Sequence, residues 1–430
     1  NDPDLVEPKW RDTRKHLLRS FSFYILLLAC IWDLHHSLSD NTTNESHHNH
    51  NHDEQDSLLI PGVVWTGRQY QSVVVGAVCL GLFWQQCAFV AHDACHRGTP
   101  TGTKSSSSWL GWWCGSVIFG ISTSMWTDEH YVHHVATRRP HYDPQFRYYP
   151  IAVLSLKELH GEPQFPHLYP LWLLKYTGML ALQQGCGFLL FAAVFIGRLN
   201  LHLISIVYCV KHCGVYYYRK MVSSKVLRRW RGGGGNVVPN TTTLQRRHPL
   251  CHPEWDLFGM FLFWIHQIYL VSWIPLAATT TATITAESSS SLSVFFHYLA
   301  VYGPRILFVC LSNWTTGILH IQLLVSHIGV ESFTQEEQQQ HSWLSHQVLS
   351  SRNVTTSAYA AWYWGGLEYQ IEHHLFPRLP RESLRRIAPR VQQLCTDCHL
   401  PYRTHPSTVV IRDVIHDLQA IATIAFEIPA

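Results

Sequence analysis

Three short runs in this sequence place histidines at intervals of three or four residues. HDACH at residues 92–96 is followed by HYVHH at 130–134 and, much later, by QIEHH at 370–374. On an α-helix, residues at i, i+3 and i+4 share one face, so each run would present a row of nitrogen or amide ligands. The members of these rows are His92, His96, His130, His133, His134, Gln370, His373 and His374.

Rows of this kind are typical of metal sites, because imidazole binds Fe, Zn, Cu and Ni. Seven histidines and one glutamine exceed the four ligands of a single tetrahedral zinc, but they could fill most of two coordination shells. One HxxxH pair alone is a weak signal, whereas three runs together indicate a shared site. We therefore predict a di-metal centre with no catalytic residue beyond the metal ligands.

Each run also contains or adjoins an acidic residue next to a ligand position. Asp93, Glu129 and Glu372 lie about 100° around a helix from the neighbouring ligand face, so we expect them to orient imidazoles and not to bind metal. This pattern disfavours a two-histidine-one-carboxylate iron site and a carboxylate-bridged di-iron bundle. His327, at the predicted end of a span, is either a further ligand or a core histidine, and we interpret His320 as structural.

The composition indicates a membrane protein. Hydrophobic residues make up 47% of the chain and charged residues only 14%, compared with about 25% charged residues in soluble proteins. The net charge of +3 is too weak and too scattered to indicate a nucleic-acid partner. The fold class that we predict is an all-α integral membrane protein with about four transmembrane helices, additional in-plane helices and a cytosolic helical cap that carries the di-metal centre.

The predicted spans are apolar segments that are long enough to cross a bilayer or, where shorter, are flanked by basic residues. They begin at Phe21, Val73, Leu257 and Leu292. Two ambiguous apolar stretches, from Trp109 and from Gly185, are predicted to be in-plane or re-entrant helices. We interpret the first span as a signal anchor, because no small-residue cleavage site follows it.

The orientation follows from parity and charge. If the three runs build one site, an even number of crossings separates each run from the next. Basic segments at 211–231 and 378–390 share the side of the basic N-terminal residues, and the positive-inside rule makes that side cytosolic. The predicted loop from His35 to Ile60, with sequons at Asn41 and Asn44, then faces the lumen.

Two other motifs are predicted to be unrelated to the site. The HHNHNH tract from His47 is interpreted as a solvated loop. CTDCH at 395–399 matches the c-type haem pattern, but it falls on a basic tail, so we do not predict haem attachment there. The runs SSSS at 105–108 and GGGG at 232–235 are interpreted as linkers.

The motifs HDxxH, HxxHH and QxxHH, in this order, resemble those of the membrane-bound fatty-acyl and sphingolipid desaturases. The glutamine of the third motif resembles the front-end subgroup. The resemblance extends to GISTSMWTDEHYVHH, to YDPQF at 142–146 and to WYWGGLEYQIEHHLFPRLPRESLRRIAP from Trp362, and it covers most of residues 65–402. A similar stretch, IQLLVSHIG from Ile321, favours His327 as a ligand.

The resemblance implies two non-haem iron ions that use O2, with electrons from NAD(P)H through cytochrome b5 and its reductase. It implies a double bond placed near the carboxyl or head-group end of a fatty-acyl chain or sphingoid base, in an acyl-CoA, a phospholipid or a ceramide. A histidine-box hydroxylase or acetylenase is the alternative. A metal transporter is less compatible with this sequence, because the histidine runs fall at the ends of the predicted spans. A zinc hydrolase is also less compatible, because it would need fewer ligands and an open position on the metal.

Front-end members usually carry an N-terminal cytochrome b5 domain with an HPGG motif, which this sequence lacks. We expect either that such a domain precedes the cytosolic segment 1–20 or that a separate donor serves residues 21–430, the membrane desaturase domain. The expected location is the endoplasmic reticulum with the site facing the cytosol, and a plastid membrane is the alternative. Trp112, Trp113, Trp126 and Trp364 are candidates for lining an acyl channel.

Overall fold

A computed structural model shows the chain as a predominantly helical protein. It describes residues 10–45, 66–96, 109–140, 142–144, 154, 155, 157, 197–213, 252–276 and 291–427. The histidine tract from His47 and the two predicted linkers lie outside these residues. Within them, the strands are β1 (Asn353–Thr355) and β2 (Thr404–Pro406), so the predicted helical fold class is confirmed with this small exception.

The helices fall into a set of mostly long ones and a later set of mostly short ones. The first set is α1 (Trp10–Glu45), α2 (Gly67–Cys95), α3 (Trp109–Phe119), α4 (Thr123–Val135), α5 (residues 197–213), α6 (Pro253–Ser272) and α7 (Ser291–Val325). The second set is α8 (Gln335–Gln340), α9 (Trp343–Leu349), α10 (Ala361–Trp364), α11 (Gln370–Leu375), α12 (Arg381–Asp397) and α13 (Ser407–Glu427).

Two compact units divide the chain. The first, here called the histidine unit, consists of Asn1–Lys15, Ala88–Phe261 and Gly317–Ala430, and it contains all three histidine runs. The second consists of His16–Cys87 and Leu262–Thr316. Within this second unit α1 and α2 are joined by polar contacts, since Ser72 donates to the carboxylate of Asp33 at 2.8 Å.

Three helices among the described residues are long and apolar enough to cross a membrane. They are Asp12–His36, Gly67–Cys95 and Val301–Val325, and they coincide with three of the four predicted spans. Residues Leu18, Ile25 and Trp32 recur every seven positions on α1 and are 61–70% exposed, which forms an apolar stripe suited to lipid.

The other predictions for the membrane segments have different outcomes. The fourth predicted span, from Leu257, falls on the apolar helix α6, which is not among these three candidates, and its crossing of the membrane stays a prediction. The loop predicted to begin at His35 is wrong at its start, since α1 continues to Glu45.

A small core supports the third histidine run. It is built by α9, α11 and α12, which bury together the side chains of Val348, Ile371, Leu375, Ile387, Val391 and Cys395. Beside it, β1 and β2 pair in parallel with Asn353 opposite Thr404. Because Cys395 is fully buried while Cys398 is exposed, the CTDCH motif does not present two accessible thiols for haem attachment.

The carboxylate of Asp256 joins α6 to the N-terminus of α4, the helix that carries the second histidine run. It accepts hydrogen bonds from the hydroxyls of Ser116, Ser122 and Thr123 and from the backbone N–H of Ser124, all at 2.8 Å. Ser122 is the N-cap of α4, and a negative charge at a helix N-terminus is stabilised by the helix dipole. These contacts fix where α4 begins and therefore which of its residues face the site.

Replacing Asp256 should destabilise the fold. Asp256→Ala leaves four donors without their acceptor, and an unsatisfied buried group costs about 1–3 kcal/mol, so we expect roughly 3 kcal/mol or more in total. The melting temperature in detergent micelles measures this loss. Glu254→Ala, in the same first turn but exposed, should leave the melting temperature unchanged, and equal values for both variants would contradict the assignment.

Candidate metal centre

The three histidine runs lie on helical segments of the histidine unit. His92 is in the last turn of α2, and the backbone N–H of His96 donates to the His92 carbonyl at 3.1 Å, which continues that turn. The second run lies on α4 and the third forms α11. His92 is half-buried, and the other residues of the three rows are buried.

Ring nitrogens from these segments converge in two groups. In group A, one nitrogen from each residue lies within 4.8 Å of the others, and the members are His92, His96, His130 and His373. Group B meets the same distance limit and consists of His133, His327 and His374. Since each group draws ligands from three separate segments, a metal ion in either group would cross-link parts of the chain that are far apart in sequence.

Three hydrogen-bond acceptors determine which ring nitrogen carries the proton in the group B histidines. The Nδ1 atoms lie at 2.9 Å from the carboxylate of Asp143 for His133, at 3.0 Å from the Ser350 carbonyl for His327, and at 2.8 Å from Oε1 of Gln347 for His374. An acceptor at Nδ1 places the proton there and leaves the lone pair on Nε2. Hydrogen bonds of this kind are the usual means of orienting a metal-binding imidazole.

Group A is a close cluster of imidazole nitrogens. Nε2 of His92 and Nε2 of His130 lie only 3.0 Å apart, and neither ring nitrogen of His96 has a hydrogen-bond partner among the described residues. Burial lowers the pKa of His96, His130 and His373 well below 6.5, and the neighbouring imidazoles lower it further. These rings therefore stay neutral, with lone pairs available for a cation.

His134 and Gln370 lie next to the two groups. The ring centroid of His134 is 4.4 Å from that of His374 and 4.7 Å from that of His130, so His134 adjoins both groups. Nε2 of Gln370 is 3.0 Å from Nε2 of His327, and its Oε1 has no hydrogen-bond partner in the described part of the chain. Because a 180° rotation exchanges the two amide atoms, Gln370 can present its oxygen to group B.

The acidic residue of the first run lies where it can act on an imidazole. The carboxylate of Asp93 is 3.6 Å from Nδ1 of His92. It also accepts a hydrogen bond from Nε of Arg381 on α12 at 2.7 Å and forms an ion pair with the guanidinium of that residue. Asp93 therefore joins the first histidine run to the helix that follows the third.

The other two acidic residues have different surroundings. Glu372 accepts hydrogen bonds from Nδ2 of Asn353 at 2.8 Å and from the hydroxyl of Tyr402 at 2.7 Å. Neither of these partners is an imidazole, and an orienting role of Glu372 toward a histidine stays a prediction. Through these contacts Glu372 fixes α11 against β1 and the segment before β2. Glu129 lines a cavity beside group A.

Sequence reasoning missed the acceptors that orient group B. Asp143 follows His133 by ten residues and lies in the YDPQF stretch, so its proximity in sequence was an available signal. Gln347 precedes His374 by 27 residues on another helix, and no local pattern indicates it. The Ser350 acceptor is a backbone carbonyl, which no residue type reveals.

The residues present fit two transition-metal ions. The site offers imidazole nitrogens, and Nε2 of His133, His373 and His374 has no hydrogen-bond partner within the described ranges. Buried lone pairs that lack donors are unfavourable unless a cation binds them. Nitrogen-rich sites of this kind suit Fe, Zn, Cu and Ni.

An apolar cavity adjoins group A. Its wall includes His92 and His130 together with apolar side chains such as Phe89, Phe119, Met125, Leu201 and Leu323. Of the tryptophans predicted to line an acyl channel, Trp126 contributes to this wall. Trp112 instead donates to the backbone carbonyl of Trp255 at 2.8 Å, and Trp113 is 49% exposed. Trp364 is buried but is not among the lining residues that the structure describes.

Removal of the Asp143 acceptor should weaken metal binding. Asp143→Ala frees the Nδ1 proton of His133, and loss of such an orienting partner typically lowers metal affinity 10- to 100-fold. Metal content after dialysis against a graded series of chelator concentrations measures this change. Asp143→Asn keeps an acceptor oxygen, so its metal affinity should lie between those of the wild type and Asp143→Ala. Asp397 is exposed on α12, and Asp397→Ala should match the wild type. Equal chelator resistance in Asp143→Ala would refute the role.

Comparison with known proteins identifies one family whose profile matches this chain. The profile of the fatty acid desaturase family matches residues 69–210 and 236–406. The chain is 26% identical over 331 residues to the Delta(8)-fatty-acid desaturase 2 of Arabidopsis thaliana, covering 77% of this chain and 60% of that protein.

Two further relatives show the same pattern. The Delta 8-(E)-sphingolipid desaturase of Emericella nidulans is 25% identical over 356 residues, covering 81% of this chain and 53% of that protein. The acyl-lipid (9-3)-desaturase of Borago officinalis is 24% identical over 323 residues, covering 75% and 58% respectively. The chain thus spans 53–60% of the length of these three relatives. Since the family profile covers most of its residues, the chain belongs to the fatty acid desaturase family.

Proposed function

We propose that this chain is the membrane domain of a front-end lipid desaturase, which places a double bond near the carboxyl or head-group end of a fatty-acyl chain or sphingoid base. The observation that carries this proposal is the position of group A, whose histidines form part of the wall of an apolar cavity. The names of the relatives cover both fatty-acid and sphingolipid desaturases, so both substrate classes enter the test below.

The metal ions in this proposal are two non-haem irons. Groups A and B would hold them, with His134 and Gln370 as additional ligands. When bound, iron supplies the O2-dependent oxidation of two adjacent, unactivated methylene groups. In the overall reaction O2 accepts four electrons, two from the C–H bonds and two from an electron donor, and becomes two water molecules.

The chain itself would contribute position and exclusion of water. The apolar wall binds the hydrocarbon by burial, and the depth of the cavity decides which carbons come next to group A. Gly365, with φ of +61°, lies against this wall, since a Cβ there would be 2.4 Å from the ring of Phe89. A glycine is therefore needed for the turn before the third histidine run to pack against the cavity wall.

Cytochrome b5 and its reductase are the proposed source of electrons from NAD(P)H, and the endoplasmic reticulum is the proposed location. The side chains of Arg385, Arg386 and Arg390 are exposed on α12, which follows the third run. A basic surface next to the site supports a cytosolic orientation by the positive-inside rule.

The proposal is tested by expressing the chain in yeast together with cytochrome b5. Fatty acids and long-chain bases are then analysed by gas chromatography–mass spectrometry with double-bond derivatisation. We expect a new double bond near the carboxyl or head-group end, and a roughly 100-fold or greater loss of product in His373→Ala, which removes a group A ligand. His416→Ala, which removes an exposed histidine on α13, should retain activity.

Two outcomes would count against this function. A hydroxylated or acetylenic lipid would identify the chain as a hydroxylase or acetylenase of the same family. The absence of any new lipid, with zinc in place of iron in protein purified from well-expressed membranes, would refute the desaturase proposal.

A further inference from the structure

His320 is a buried histidine that belongs to neither metal group. It lies on α7, is 5% exposed, and lines the same apolar cavity as His92 and His130 of group A. Sequence reasoning assigned it a structural role. Its hydrogen bonding, however, leaves one ring nitrogen without a partner.

The protonation of His320 follows from its single backbone contact. Nδ1 lies 3.3 Å from the carbonyl oxygen of Gly317. A carbonyl only accepts, so this contact requires the proton on Nδ1, and Nε2 then carries a lone pair. Nε2 is buried and has no hydrogen-bond partner within the described residues.

The surroundings of His320 leave room at this acceptor. Gly197 of α5 faces the ring, and a Cβ on Gly197 would lie 4.0 Å from Nε2 and 3.6 Å from Cδ2. The lining residues Leu201, Leu319 and Leu323 are apolar. Asn200 belongs to the same wall and the charged Arg198 acts on His320 electrostatically, but neither hydrogen-bonds to Nε2 of His320. An acceptor in such a wall is stabilised when a bound molecule donates a hydrogen bond to it.

We propose that Nε2 of His320 accepts a hydrogen bond from a hydroxyl or amide N–H of the substrate, and so selects a sphingoid base over a plain acyl chain. This inference rests on the proposed function and specifies its substrate class. A hydrocarbon chain carries no donor, whereas a ceramide carries hydroxyls and an amide N–H at its head end. Because His320 and group A share one cavity, the donor and nearby chain carbons would be bound together, as a double bond near the head group requires.

The test compares two lipids of similar size in binding to the purified full chain in detergent micelles. N-octanoylsphinganine carries donors, and octadecyl octanoate carries none. We expect wild-type protein to bind N-octanoylsphinganine about tenfold or more tightly than the ester, and His320→Phe to lose this preference while its affinity for the ester is unchanged. His320→Gln, which retains an acceptor oxygen, should keep part of the preference for N-octanoylsphinganine.

A matched control separates the hydrogen bond from the packing of the wall. Leu319→Ala removes an apolar lining side chain beside His320 and should weaken both lipids by the same factor. The inference is overturned if wild-type protein shows no preference, or if His320→Phe weakens both lipids equally. If His320→Phe does not fold, His320→Gln decides the question, since an undiminished preference in that variant overturns the inference. Because binding is measured without turnover, this test can succeed or fail independently of the desaturase assay, and the two failures are distinguished.

Discussion

The structure depends on one electrostatic constraint, the burial of many imidazole lone pairs in a common space. Eight histidines from three runs and the segment after α7 meet there, and burial lowers the pKa of six of them. Protonation therefore does not relieve the crowding of these lone pairs near neutral pH. Bound cations would relieve it, and they would also link helices that are far apart in sequence.

The remaining polar contacts keep these nitrogens in position. The acceptors at His133, His327 and His374 fix which ring nitrogen faces inward. Asp256 holds the start of α4, and the ion pair between Asp93 and Arg381 joins the first run to α12. Each contact restricts one element, so the ligand geometry is specified by pairings made outside the two groups.

The sequence predicts the parts of this site that depend on local periodicity. Histidines at i, i+3 and i+4 are sufficient to predict helical rows, because helix geometry alone places them on one face. The partners of group B depend on tertiary packing, and for that reason Gln347 could not be predicted. Glu372 shows the same limit, because its spacing indicates that it lies off the ligand face but not that Asn353 and Tyr402 would bind it. Hydropathy identified α6 as an apolar helix, because that property depends only on the local sequence.

The parallel pairing of β1 with β2 has a consequence for biosynthesis. Strand β2 and Tyr402 follow the third histidine run by about thirty residues, yet they contact β1 and Glu372 directly. During translation, all three ligand rows leave the ribosome before the segment that fixes the last of them. The third row therefore lacks this support until β2 has been synthesised, and a centre that uses all three rows is complete only after that point.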